Sequence, residues 1–261
     1  MGRFRLLACA CLLAIARADE PAILRLVLDE SFEGSSLNPA VWNIETGRRK
    51  DALNTADAVD VAGGRLVITT WTDTAGTTHC GFVTTRGKLL IQTGKAVARC
   101  RYRVLPGTQV AFWLQSPTYA ASGKAEGAAK DGVEIDVMET TGLMEGGYQY
   151  ALHWGPYGSP TEKHMSNRRF PAKVGQDWHD YGVEWDERGY RFALDGAVVA
   201  TDTRCPASRA PEFLLLTSES TIRSWNGERP GAGYGAKAVS TNRLEVEWVK
   251  AWTRGETPAR R

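Results

Sequence analysis

Helix-period segments are scarce in this chain, and so are the short spacings that mark most catalytic centres. With 4 His and no CxxC, HxxxH or HExxH spacing, a catalytic transition-metal site has no ligand set to draw on. No GxSxG elbow is present, and His, Ser and Asp show no telling arrangement, so serine-hydrolase chemistry has no support. No apolar run approaches the roughly 20 residues that a bilayer-spanning helix needs. Neither sign of charge dominates: 32 basic residues stand against 30 acidic ones. No nucleic-acid or anionic-membrane partner is therefore expected. A Pro- or Ser-rich linker and an internal repeat are also lacking, which favours one domain.

The chain opens MGRFRLLACACLLAIARADE, with Arg3 and Arg5 ahead of an apolar run from Leu6 to Ala16 and a small-x-small end at Ala16-Arg17-Ala18. That is the pattern of a secretory signal peptide over residues 1–18, followed by a single domain over 19–261. The lipoprotein alternative, through Cys9, is disfavoured because that cysteine precedes most of the apolar run. The expected localisation is secreted or periplasmic. Cys80, Cys100 and Cys205 then remain in an oxidising compartment. Cys80 and Cys100 flank two strand-like runs and could pair across a hairpin; three unpaired buried thiols are the equal alternative.

Short runs rich in β-branched and aromatic residues follow one another, among them 65–71, 88–91, 96–104, 110–114, 133–139, 148–154, 181–185, 213–217 and 244–252. Turn signals such as Pro106-Gly107 and Asp195-Gly196 separate them. The expected fold is all-β, an antiparallel sandwich or barrel. The Ala-rich stretch 119–129 is broken by Gly123 and Gly127 and reads as a loop. Two more long loops cover 155–171, with Tyr157, His164, Arg168 and Arg169, and 221–241, with Trp225. GAGYGA in the last of these has no strand–turn–helix context, so it is no phosphate loop.

Residues 134–139 read EIDVME. Strand alternation places Glu134 and Asp136 on one face, and Glu139 has the wrong parity. Alternating acids are ordinary on a solvated strand face, and Leu244-Glu245-Val246-Glu247-Trp248 repeats the pattern without implied chemistry. The third acid shifts the balance. One β-bulge at Val137-Met138 would return Glu139 to the face of the other two. The Glu134 and Glu139 Cα atoms would then lie about 13 Å apart, and long side chains leaning inward could reach the roughly 5 to 5.5 Å of a retaining glycosidase pair. Such an enzyme needs one ionised and one protonated carboxyl. A third acid between them splits their pKa values and can orient the nucleophile.

All 9 Trp lie beyond the leader. Trp113, Trp154, Trp178 and Trp225 are candidates for sugar-ring contacts, whereas Trp185, Trp248 and Trp252 read as core. His153 shares a strand face with Gln149 and Ala151, opposite Tyr148, Tyr150 and Trp154. It could hydrogen-bond substrate or an acid. His179 is open to a structural or functional role.

Together these residues resemble glycoside hydrolase family 16 in its bulged, laminarinase-like ExDxxE form. The likeness extends through Asp29-Glu30-Ser31-Phe32 with Trp42, Gly64 to Thr69, Ala111-Phe112-Trp113-Leu114, His153-Trp154, Trp178 to Trp185, Leu194-Asp195-Gly196 and Glu245 to Val249, in order. The resemblance implies a concanavalin A-like β-jelly-roll sandwich of two curved antiparallel sheets, with the acids on the concave one. It implies Glu134 as nucleophile, Asp136 as its orienting partner, and Glu139 as general acid and then base. Trp113 and His153 match cleft-lining positions. The implied activity is retaining endo-hydrolysis of a β-linked polysaccharide without an organic cofactor, most simply on β-1,3- or mixed β-1,3/1,4-glucan; a monomer is expected. A β-galactanase of the agarase kind, a transglycosylase and a non-catalytic lectin are the rivals. Many members carry a structural calcium bound by an aspartate of the last strand, where this chain has Glu247. Residues 43–55 also lack the aromatic residues of a typical laminarinase.

Overall fold

Along Gly94–Arg103, Ala96, Ala98, Cys100 and Tyr102 are buried while Lys95, Val97, Arg99 and Arg101 are half-exposed. The period of two is that of a strand with one face on a core. In the computed structural model, which describes residues 23–254 except 168, 169, 171 and 172, two antiparallel sheets repeat this division. The expected leader, with Cys9, and the loop residues Arg168 and Arg169 lie outside the described residues.

One sheet has eight strands, ordered Ala197–Asp202, Gly189–Leu194, His179–Asp186, Gly94–Arg103, Arg243–Arg254, Leu66–Thr69 and Val59–Val61, with Leu24–Glu30 also pairing with Arg243–Arg254. The other has seven, ordered Lys163–Asn167, Gln149–Trp154, Glu134–Thr141, Thr108–Gln115, Phe213–Ser220, Phe82–Thr84 and Asn43–Ile44. Between them lies one apolar core in which Tyr102, Phe112, Tyr148, Tyr181, Trp185 and Phe192 are buried. This is the expected β-jelly-roll sandwich.

The two outward faces differ. That of the eight-stranded sheet is a charge ladder, with Arg99 between Asp180 and Glu247 and Arg101 on Glu245. That of the seven-stranded sheet carries a second apolar cluster of Phe82, Ala111, Trp113, Phe213 and Leu215. All five of its residues are buried, so the cluster is a packed floor under that face and not a bare apolar patch.

Some local expectations are corrected. Residues 88–91 form no strand: the N–H groups of Lys88 and Leu89 both turn back to the Thr85 carbonyl, and only Ile91 bridges, to Glu212. The Ala-rich loop ends in a single helical turn, Ala128–Asp131. Residues 43–55 contribute two short strands, Gly47–Arg49 and Ala52–Asn54, to a four-stranded side sheet with Thr78–Cys80 and Trp71–Thr72. Cys80, Cys100 and Cys205 are unpaired and buried, so the bridge between Cys80 and Cys100 does not form. Burial pushes the Cys80 thiol up to about 12 and the other two higher still, which keeps all three protonated and inert.

Candidate active site

Across the ladder from Thr108–Gln115, Phe112 pairs with Met138 but Trp113 pairs with Asp136, so Val137 has no partner. The Gln149–Trp154 side shows the same shift, with Asp136 opposite Ala151 and Glu139 opposite Gln149. Val137 is the extra residue of a β-bulge. Both Val137 and Met138 face the core, which is why Glu139 emerges on the face of Glu134 and Asp136. That face also carries Ala111 and Trp113, and hence the apolar cluster.

Each outer acid sits in a collar of neutral donors. Gln109 donates to Glu139 Oε1 at 2.7 Å and Gln149 to its Oε2 at 2.8 Å. Gln115 donates to Glu134 Oε2 at 2.9 Å, and the Tyr157 hydroxyl donates to the same oxygen. Asp136, only 4% exposed, lies between them with its Oδ2 lacking a hydrogen-bond partner and 3.5 Å from His153 Nε2. One ligand atom each of Glu134, Asp136 and His153 falls within 4.8 Å of the others.

Burial dominates the electrostatics. It pushes Glu134 up to about 7, the negative charge of Glu139 adds to the rise, and the Tyr157 and Gln115 hydrogen bonds oppose it. Asp136 is raised well above the usual carboxylate range, by burial first and then by Glu134, Glu139 and Glu219. Glu139 is raised by burial and by Glu219, against the bond from Gln149. Three carboxyls so placed cannot all be ionised together. The site therefore holds protonated and ionised acids side by side near neutral pH. Burial and the neighbouring His164 lower the pKa of His153, so its imidazole is mainly neutral there.

The other sequence-derived candidates divide. Trp113 is in the floor, 8% exposed, with its Nε1–H on Thr217 Oγ1 at 3.0 Å and its edge toward Phe82. His153 is on the acid face, stacked on His164. Trp225 is 47% exposed on the hairpin of Arg223–Ser224 with Gly227–Glu228, which continues Phe213–Ser220 beyond the Gln109 end of the sheet. Trp154 is not brought to the acids: alternation turns it from His153 and packs it against the core. Trp178 is also elsewhere, its ring 4.8 Å from the Arg101 guanidinium on the outer face of the other sheet. His179 is held by Asp195 at 2.7 Å and plays a structural part.

Glu247 does not fit a calcium ligand. It is 48% exposed, and Arg99 Nε lies 2.8 Å from its Oε2. Calcium collects six to eight oxygens, and a guanidinium already supplies the positive charge at this carboxylate.

Sequence reasoning missed the collar. Gln109 and Gln115 share parity with Trp113, and Gln149 with His153, so alternation alone would have placed them beside the acids. Tyr157 had no such signal, because it comes from a loop. Two arginines were missed as well: Arg49 lies 5.2 Å over the Phe82 ring and pairs with Glu219 at 2.6 Å, and Arg86 lies 4.7 Å over Phe213.

Comparison with known proteins agrees with this geometry. Glucan endo-1,3-beta-glucosidase A1 of Niallia circulans is 25% identical over 217 residues, which cover 70% of this chain and 30% of that protein. This chain thus spans less than a third of that relative's length. The X-ray structure of the laminarinase from Rhodothermus marinus superimposes with a TM-score of 0.70 at 22% identity, covering 91% of this chain and all of that one. Porphyranase B from Zobellia galactanivorans gives a TM-score of 0.68 at 20% identity, covering 92% and 98%. Residues 46–250 match the model of glycosyl hydrolases family 16, and the chain belongs to that family.

Proposed function

We propose that this chain is a retaining endo-β-glycanase acting on a β-1,3- or mixed β-1,3/1,4-glucan. The observation that carries this reading is the bulge at Val137, which sets Glu134, Asp136 and Glu139 on one face. The matched part of the Niallia circulans glucanase supports the glucan assignment.

In this reading Glu134 attacks the anomeric carbon as a carboxylate, and Glu139 gives its proton to the departing glycosidic oxygen. Water activated by Glu139 then releases the sugar from Glu134 with a second inversion, so the β configuration is kept. Asp136, its carboxyl raised by burial and by the acids on either side, stands beside Glu134 on the same face as its orienting partner. Trp113 and His153 shape the floor, and Trp225 offers a ring to sugar units beyond Glu139. The reaction needs no cofactor, and one copy of a domain over residues 19–261, exported by its leader, suffices.

A β-galactanase is the second reading, favoured by Arg49 and Arg86. Both guanidinium groups cover rings on the acid face, so the floor offers hydrogen-bond donors where a bare aromatic platform would offer an apolar surface.

Azide rescue tests the roles. With an activated glycoside, Glu139→Ala plus azide should yield the β-glycosyl azide from the glycosyl-enzyme, and Glu134→Ala plus azide the α-glycosyl azide by direct displacement. The opposite assignment of products would exchange the two roles.

A further inference from the structure

The Gln115 side-chain amide nitrogen can only donate. It lies 2.9 Å from Glu134 Oε2 and 3.0 Å from the Tyr157 hydroxyl oxygen. Gln115 therefore fills the acceptor side of the tyrosine hydroxyl, whose own proton must point to Glu134 Oε2. One carboxylate oxygen receives two donors, and Oε1 is left to react.

Two loops build this contact. Gly155 begins the second at φ 80°, and a Cβ there would stand 2.8 Å from the Thr161 carbonyl oxygen and 3.2 Å from the Ala125 Cβ, so only glycine allows the close packing. Gly158 N–H donates to Glu162 Oε2 at 2.6 Å and closes the loop. From the first loop, Tyr119 stacks on Tyr157 with ring centres 4.8 Å apart. The phenol is thus held from behind by another ring and from the side by Gln115.

We infer that Tyr157 is a positioning residue for Glu134, fixing which of its two carboxylate oxygens faces the anomeric carbon. The inference rests on the reading of Glu134 as nucleophile. A hydrogen bond given to the charged form also favours that form, and among the groups pulling Glu134 down against burial the Tyr157 hydroxyl comes first. Charged or titratable groups facing Glu134 are Asp136 and Glu139 on its own strand, His153 beside it, Glu212 and Glu219 on the Phe213–Ser220 side, and Tyr119 and Tyr157 from the loops. Glu139 and Glu219 add to the rise that burial causes in Glu134, and the uncharged donors Tyr157 and Gln115 oppose it. Burial and Glu134 itself raise the Tyr157 phenol, which stays a donor throughout the working range.

Tyr157→Phe keeps the ring stack and removes only the hydroxyl; Tyr119→Phe is the control. Protein labelled with 13C at the glutamate Cδ reports the Glu134 titration directly, its signal assigned by its loss in Glu134→Gln. This readout works whether or not a polymer is cleaved. The Glu134 midpoint should rise in Tyr157→Phe and move less in Tyr119→Phe. On the polymer cleaved by the wild type, kcat should fall by about 10- to 100-fold, the size of one hydrogen bond to a charged group, with KM held and the acidic limb moved to higher pH. An unchanged or lowered midpoint would overturn the inference, as would a rise in KM alone, which would make Tyr157 a sugar contact. Undiminished activity in Glu134→Gln would instead remove the nucleophile reading, whatever Tyr157→Phe does.

Discussion

Trp113 stands across the ladder from Asp136, although its neighbour Phe112 stands across from Met138. The residue passed over, Val137, is what reconciles a five-residue separation with a shared face for Glu134 and Glu139. Deleting Val137 would leave Met138 on the core side and all three acids outward, in regular alternation. The deletion variant is expected to fold and to retain activity above that of Glu134→Gln. Inserting one alanine after Met138 should reverse the parity of Glu139 and abolish activity. Equal activity in the two variants, measured as reducing-end release, would contradict the parity argument.

The raised acids make the fold pay at high pH. A carboxyl with a folded-state pKa above its unfolded value binds more protons in the folded state, so stability is greatest at low pH and falls as pH rises through that window. For Glu134 the window runs from about 4.5 to about 7. Glu134→Gln should therefore raise Tm at pH 8, by the equivalent of about 1 to 3 kcal/mol, with the gain shrinking toward pH 4. Thermal melts at the two pH values check the sign; a larger gain at pH 4 would show that burial does not dominate this site.

Calcium dependence is not expected, because Arg99 holds Glu247. Melts with excess chelator and with added calcium should coincide within about 1 °C, a small fraction of the shift that losing a bound structural ion would produce.

The indoles separate by place. Trp225→Ala should raise KM on long polymers more than on short oligosaccharides, since its ring is on a hairpin beyond the Gln109 end of the floor. Trp178→Ala, on the outer face of the opposite sheet, should leave KM unchanged. Michaelis curves on both substrate lengths test the pair, and a matching KM rise in both variants would count against this placement.

How far the sequence could be read follows from the range of each signal. Alternation is local and strong, so the strands, the bulge and the acid face were legible in EIDVME and its flanks. The same rule turned Trp154 away from His153, and the structure follows it. Residues 88–91 failed because a lysine followed by three apolar residues resembles a strand until the N–H groups of Lys88 and Leu89 are traced back to Thr85. Trp178 failed because proximity in sequence to a landmark motif does not state which sheet a residue covers. Tyr157 was beyond reach for a different reason: its position depends on two loops packing together, and no periodicity reports that.

The central claim is that these three acids cleave a β-linked glucan. Its most direct test is reducing-end release by the chain from residue 19 on laminarin, mixed-linkage glucan, cellulose, xyloglucan, agarose and carrageenan, beside Glu134→Gln. Release from laminarin or mixed-linkage glucan, lost in the variant, is the expected result. No release from any of these polymers, with binding to one of them unaffected by the substitution, would contradict it and leave a lectin on a hydrolase fold.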